Sequence, residues 1–309
     1  MRVIFMGTPD FAVPSLEALL TKHEVVLVVT QPDKPKGRGK KMVPTPVKAC
    51  ALEHGIPVLQ PEKVKEPEFV EQLRSYEPDL IAVTAFGQIL SEPILEMPKY
   101  GCINVHGSLL PKYRGAAPMQ WSIIDGEKVT GITTMYMAKG LDSGDMLLKA
   151  EVEITDEDTF ATIHDKMAVT GANLLLDTLD QLEAGTLERI PQDHDAATYA
   201  PMITKETGHI DWSKNRQDII NLIRGLNPVP AAYTIYEEEV LKIFGAVISD
   251  VQTDGAANGE IVAVVKKGFV VKCGGGCLLI TEVQARGGKR MMTDAYLRGH
   301  AMKEGILLQ

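Results

Sequence analysis

Asn104 and His106 stand two positions apart in Cys102-Ile103-Asn104-Val105-His106-Gly107, where an apolar run meets a glycine. On an extended strand alternate residues share a face, so the amide and the imidazole point the same way. Gly107 frees the backbone to turn, and Pro111 delays any new helix. Ligands of open parallel sheets bind at the carboxyl ends of strands. An amide donor beside an imidazole there suits a reaction that builds negative charge on a carbonyl oxygen.

A third participant is expected in Lys139-Gly140-Leu141-Asp142-Ser143-Gly144-Asp145, the loop after the next strand. Asp142, flanked by two glycines, can approach an imidazole, hold the ring and favour its protonated form. Asp145 competes for that role, and both carboxylates also fit plain turn positions. Other chemistries are poorly served. Ser108 lacks the strand-to-helix elbow of a hydrolase nucleophile. Asn104 is a poor zinc ligand and no second histidine has a useful spacing, so no metal is expected. Gly7-Thr8-Pro9-Asp10 follows the first strand without a Gly-x-Gly-x-x-Gly pattern, so no dinucleotide is assigned.

The elements that must position these groups follow from alternating apolar runs and helical patterns, the signature of a parallel sheet. Strands are predicted over Arg2–Met6, Val25–Thr30, Pro57–Leu59, Asp79–Ala85, Cys102–Val105 and Ile132–Met137. Helices fit between them: Pro14–Leu20, Val47–His54 closed by Gly55, Pro67–Tyr76 and Ala117–Ile124. Thr159 to Ala184 reads as one long amphipathic helix with Leu174, Leu175, Leu179 and Leu182 on its buried face. Thr186 to Tyr199 is polar and reads as a linker. After Ile210 a short helix, Gln217–Arg224, precedes closely spaced strands at Ala232–Tyr236, Leu241–Val247, Gly259–Val265, Phe269–Cys273 and Leu278–Gln284. That spacing predicts a small closed barrel. The expected architecture is α/β: an open, mostly parallel Rossmann-like sheet with helices on both faces, then a small C-terminal OB-like β-barrel. The expected domains are 1–188, a linker at 189–206, and 207–309.

At 309 residues, with 45% hydrophobic and 24% charged, the composition is that of a soluble globular chain of about two domains. No apolar run is long enough to span a membrane. Four cysteines form no disulfide framework, which points to a reducing, cytoplasmic setting. The net charge of −9 argues against nucleic acid, but its distribution matters more. Six cations lie between Lys34 and Lys48 without an acid among them: Lys34, Lys36, Arg38, Lys40, Lys41 and Lys48. Like charges so dense repel unless something acidic binds, and a phosphate backbone is such a partner. A second basic group, Arg286, Lys289, Arg290, Arg298 and Lys303, lies near the C-terminus.

Taken together, Gly7-Thr8-Pro9-Asp10-Phe11, Gln31-Pro32-Asp33, Gly37-Arg38-Gly39-Lys40-Lys41, Asn104-Val105-His106-Gly107-Ser108-Leu109-Leu110-Pro111, Arg114-Gly115-Ala116-Ala117-Pro118, Leu141-Asp142-Ser143-Gly144-Asp145, Ile210-Asp211-Trp212 and Asn227-Pro228 resemble the methionyl-tRNA formyltransferase family from end to end. The Asn-Val-His-Gly segment is shared with formyltransferases acting on glycinamide ribonucleotide or amino sugars, so it specifies the chemistry and not the acceptor. The resemblance implies 10-formyltetrahydrofolate as co-substrate and initiator methionyl-tRNA as partner, with Asn104, His106 and Asp142 catalytic. It further implies a folate site bordered by Ser108, Leu109, Leu110, Pro111, Phe86, Ile89 and Leu90. The tRNA acceptor end would meet Lys34, Lys36, Arg38, Lys40 and Lys41. A monomer is expected. A small-amine formyltransferase and a folate-responsive RNA-binding protein without turnover stay open as alternatives.

Overall fold

Strongly apolar, β-branched runs are laid down as strands in the first half of the chain: β1 Arg2–Gly7, β2 Glu24–Val29, β3 Val58–Leu59, β4 Leu80–Thr84 and β5 Cys102–His106. The computed structural model describes every residue except 37–40 and 254, with backbone alone at Lys36 and Lys41. β6 Val129–Tyr136 and β7 Met146–Glu153 complete a seven-stranded sheet in the order β7-β6-β5-β4-β1-β2-β3. Neighbours from β3 to β5 are parallel, whereas β6 and β7 run antiparallel. The fold is therefore the expected Rossmann-like mixed sheet.

The chain leaves β1 toward β2 and β3, then returns to place β4 on the other side of β1. Loops at the carboxyl ends of β1 and β4 thus diverge, which opens a ligand-binding crevice in sheets of this kind. The side chain of Thr8, just past β1, donates to the Phe86 carbonyl, just past β4, at 2.9 Å. Behind that edge Ile4, Met6, Leu27, Ile81 and Ile94 are fully buried.

The linking helices are α1 Val13–Leu20, α2 Pro46–Glu53, α3 Pro67–Arg74, α4 Pro118–Ile124 and α5 Phe160–Ala184. Three of them open on proline at the first turn, where its missing N–H costs nothing. β7 is a strand that the sequence reading missed. It lies at the sheet edge and alternates Lys149, Glu151 and Glu153 outward, so it reads as polar.

Two compact units emerge: one from residues 1–115, 129–153 and 164–200, the other from 116–128, 154–163 and 201–309. In the second, α6 Arg216–Gly225 is capped by Asn215, whose side chain accepts from Asp218 N at 3.0 Å. Arg224 on this helix is buried and donates to the carbonyls of Thr155 at 2.6 Å and Asp158 at 3.2 Å, joining separate segments of the unit.

Five longer strands follow α6, β8 Ala232–Tyr236, β9 Glu239–Ser249, β10 Ile261–Val265, β11 Gly268–Cys273 and β12 Gly276–Ala285, and a two-residue strand, Met291–Met292, pairs with the last. They pair antiparallel in the order β8-β9-β12-β11-β10 around Trp212, Ile243, Phe269 and Ile280. Among the described residues no ladder joins β8 to β10 directly. The last residues instead bond to both ends of the sheet. Ile235 N donates to the Gln309 carbonyl at 2.7 Å, and Leu308 N donates to the Gly259 carbonyl at 2.8 Å. Among the described residues no helix is long and apolar enough to cross a membrane.

Candidate active site

β5 carries Asn104 and ends at His106. Asn104 is paired with Val83 of β4 and Met135 of β6. Its half-buried side chain makes no hydrogen bond among the described residues, so both amide N–H donors are unspent. His106, two residues on, is 5% exposed and held between two acceptors. Its Nε2–H donates to the Tyr113 carbonyl at 3.0 Å, and Nδ1 faces Asp142 Oδ2 at 3.8 Å. A carbonyl only accepts, so Nε2 carries a proton. The Asp142 approach is an ion-pair distance and longer than a hydrogen bond.

Asp142 is fixed by other bonds. Its Oδ2 accepts from Gly115 N at 2.8 Å and its carbonyl accepts from Gln192 Nε2 at 2.8 Å. Its backbone is left-handed, at φ 44°, which Asp tolerates better than most residues. Asp145, the competing carboxylate, is engaged elsewhere: Arg189 reaches it through Nε at 3.0 Å and Nη2 at 2.9 Å. Between them, a Cβ on Gly144 would collide with the Tyr136 carbonyl, so this loop needs glycine there.

The loop after His106 is braced from within the sheet. Thr133 of β6 donates through Oγ1 to the Ser108 carbonyl at 2.7 Å and accepts from Leu110 N at 3.1 Å. Lys149 of β7 donates to the Leu110 carbonyl at 2.6 Å, and Ser108 Oγ donates to the Lys112 carbonyl at 2.6 Å. Of the residues expected to border a folate, Leu109 and Pro111 are half-buried. Ser108, Leu110, Phe86 and Leu90 are buried, the last two in the sheet core. Ile89 is 85% exposed. Phe86 and Leu90 thus shape the loop after β4 by packing, while Ile89 presents its side chain outward.

Arg114 and Gln192 are site-forming residues that the sequence reading gave no role. Buried Arg114 donates to Gln192 Oε1 through Nε at 3.0 Å and Nη2 at 2.7 Å, and to His194 Nδ1 at 3.2 Å. Gln192 passes that order on to the carbonyls of Asp142 and Gly144. Gln192, in the stretch expected as a linker, thus also supports the Asp142 loop. One buried glutamine in a polar run leaves no periodic signal.

Three cavities lie away from these side chains, one of them, of about 420 Å³, beside Pro61, Lys63 and Phe69. One of about 370 Å³, lined by Lys99, Tyr100, Tyr136 and Arg189, sits at the opposite end of β5. One of about 640 Å³ lies in the second unit beside Tyr236 and Tyr296. Among the described residues no group of three or more His, Cys, Asp or Glu is placed to hold a metal ion. Burial pushes the Cys102 thiol, on the same strand as Asn104, up to about 12, which makes it inert at neutral pH.

Lys34 is exposed on a short hairpin, Lys34–Lys36 paired with Lys41–Val43. Arg38 and Lys40 lie outside the described residues. The second basic group is largely neutralised. Arg290 grips Glu282 at 2.6 and 2.7 Å and lies over the Phe244 ring, Arg286 pairs with Glu239, Arg298 with Asp294 and Lys303 with Glu237.

Residues 1–179 match the family model described as formyl transferase, and residues 202–301 match formyl transferase, C-terminal domain. A methionyl-tRNA formyltransferase of Acetivibrio thermocellus is 54% identical, covering 100% of this chain and 99% of its own. One of Ruminiclostridium cellulolyticum is 55% identical, over 99% and 98%. Among solved structures, WlaRD, a sugar 3N-formyl transferase, has a TM-score of 0.67 at 18% identity, covering 92% of this chain and 97% of that one. HypX of Aquifex aeolicus, in complex with tetrahydrofolic acid, has a TM-score of 0.66 at 17% identity, covering 100% and 50%. At such identities these two speak to the fold alone.

Proposed function

The chain belongs to the formyltransferase family, and on that footing we propose that it moves the formyl group of 10-formyltetrahydrofolate onto the α-amino group of initiator methionyl-tRNA. The observation that carries the mechanism is the unspent amide of Asn104 beside a histidine clasped between Tyr113 and Asp142.

The amine attacks the formyl carbon, a C–N bond forms, and a tetrahedral alkoxide results. Asn104 donates to that oxygen. Imidazolium His106 adds positive charge nearby, the ring form that presents an N–H to both acceptors around it. Asp142 holds that form. Collapse breaks the bond between the formyl carbon and the folate nitrogen, which takes up the proton that the attacking amine gives away, with His106 and Asp142 assisting. Ser108, Leu109, Leu110, Pro111, Phe86, Ile89 and Leu90 border the folate, with Ile89 free to cover it. Lys34, Lys36, Arg38, Lys40 and Lys41 meet the acceptor end of the RNA. Residues 1–188 carry the chemistry, 189–206 connect, and 207–309 hold the RNA backbone. The protein works as a cytoplasmic monomer.

Incubation of the purified protein with formyl donor, charged initiator tRNA and a nucleotide-linked amino sugar tests this directly. Formylmethionyl-tRNA is the expected product. Transfer to the amino sugar alone, or RNA binding without transfer, overturns the proposal.

A further inference from the structure

Asp33, Lys48 and Gln60 form a closed polar triangle at the foot of the basic hairpin. Lys48 Nζ donates to Asp33 Oδ2 at 2.6 Å and to Gln60 Oε1 at 2.7 Å. Gln60 Nε2 donates to Asp33 Oδ1 at 2.7 Å and to the Gln31 carbonyl at 2.8 Å. The side chains of Asp33 and Lys48 are only 24% and 22% exposed. Hydrogen bonds from Lys48 and Gln60 hold the Asp33 carboxyl below its usual range. The other foot of the hairpin is tied as well: Thr45 Oγ1, which caps α2 by accepting from Lys48 N at 3.2 Å, lies 2.8 Å from Thr30 Oγ1. From the same corner Gln31 Nε2 donates to the Phe86 carbonyl at 3.2 Å, reaching the loop after β4.

Two three-residue strands cannot hold themselves in water, and their cations repel one another. The hairpin therefore takes its position from its feet. Lys48 differs from exposed Lys34 because its charge is spent inside the triangle. We infer that Asp33, Lys48 and Gln60 are positioning residues for the RNA acceptor, which fix the hairpin Lys34–Lys36/Lys41–Val43 before binding, and that Lys48 is not a phosphate contact. This deepens the methionyl-tRNA reading and rests on it. Pre-setting a charged segment removes ordering cost from binding without touching the bond-making step.

Asp33→Asn separates the two roles of Lys48, because it leaves that cation in place and removes a negative charge. If Lys48 met phosphate directly, this variant would bind RNA as well as or better than the parent. Positioning instead predicts a KM for methionyl-tRNA raised about tenfold, equivalent to about 1.4 kcal/mol, in both Asp33→Asn and Lys48→Met. Turnover and the KM for the formyl donor stay within about twofold, which also reports that each variant is folded. Gln60→Leu breaks the triangle without changing any charge and should raise the same KM, while Lys48→Arg should restore most of it. In Lys48→Met the salt dependence of RNA binding keeps its slope, whereas losing a phosphate contact lowers it by about one. An unchanged or lower KM in Asp33→Asn and Gln60→Leu overturns the inference while the parent enzyme still formylates the RNA. A parent that does not formylate it overturns the functional reading instead.

Discussion

Single atoms decide what the end of β5 can do. Asn104 has two amide donors with no hydrogen-bond partner among the described residues, so both can turn to a ligand oxygen. Asn104→Ala should lower turnover by about 10²–10³, the usual loss for one oxyanion donor, with the KM for methionyl-tRNA nearly unchanged. Normal steady-state turnover in that variant would remove the amide from the mechanism. The two loop carboxylates make a sharper comparison, since spacing alone could not rank them. Asp142 faces His106 and anchors Gly115 N, while Asp145 is committed to Arg189. Asp142→Asn keeps an acceptor for Gly115 but removes the charge beside the imidazole, so turnover should fall by about a hundredfold, the low end of acid–base contributions of about 10²–10⁴. Asp145→Asn should leave turnover within about twofold, the 0.2–1 kcal/mol that a surface ion pair is worth changing local order more than chemistry. Equal losses in the two variants would refute the assignment of Asp142.

Elements place those atoms, and here Thr133 is the most exposed to test. Its buried hydroxyl serves both the Ser108 carbonyl and Leu110 N, so β6 clamps the loop that follows β5. Thr133→Val keeps the shape and leaves a buried N–H and a carbonyl short of a partner, which costs about 1–3 kcal/mol in denaturant unfolding. A change below about 0.5 kcal/mol, the scatter of ordinary surface substitutions, would show that the loop is held by packing alone. The strands carrying Asn104 and His106 were legible because buried parallel strands are apolar runs closed by turn residues. Register across the sheet was not. That β6 brings Thr133 under Ser108, or that β7 offers Lys149 to Leu110, depends on pairings between residues far apart in the chain. Edge strand β7 alternates charge with aliphatics and so hid among polar segments. Gln192 was hidden for a related reason: its value lies in reaching Asp142, Gly144 and Arg114 at once, and only the folded chain shows that.

Across the whole molecule, a net charge of −9 sets an RNA-binding reading a problem of electrostatics. The average field repels a phosphate backbone, so attraction must come from cations with no internal partner, and counting basic residues overstates their number. Arg290 shows why. It grips Glu282 with two hydrogen bonds, reaches Asn227 Oδ1 at 3.1 Å and covers Phe244. Its charge is used to hold β12 and β9 against the Asn227 turn. Arg290→Met should therefore destabilise the protein by about 1.5–3 kcal/mol, the range for hydrogen bonds to charged groups, and leave the salt dependence of RNA binding unchanged. Lys34→Gln on the exposed hairpin should do the opposite: unaltered stability, with the slope of log affinity against log salt reduced by about one. Both quantities come from the same two experiments, thermal or denaturant unfolding and RNA binding between about 50 and 200 mM salt, the range over which phosphate contacts express themselves most. A slope that falls in Arg290→Met and holds in Lys34→Gln would move the RNA interface from the hairpin to the β12 surface, because only a cation that trades counterions for phosphate can change it.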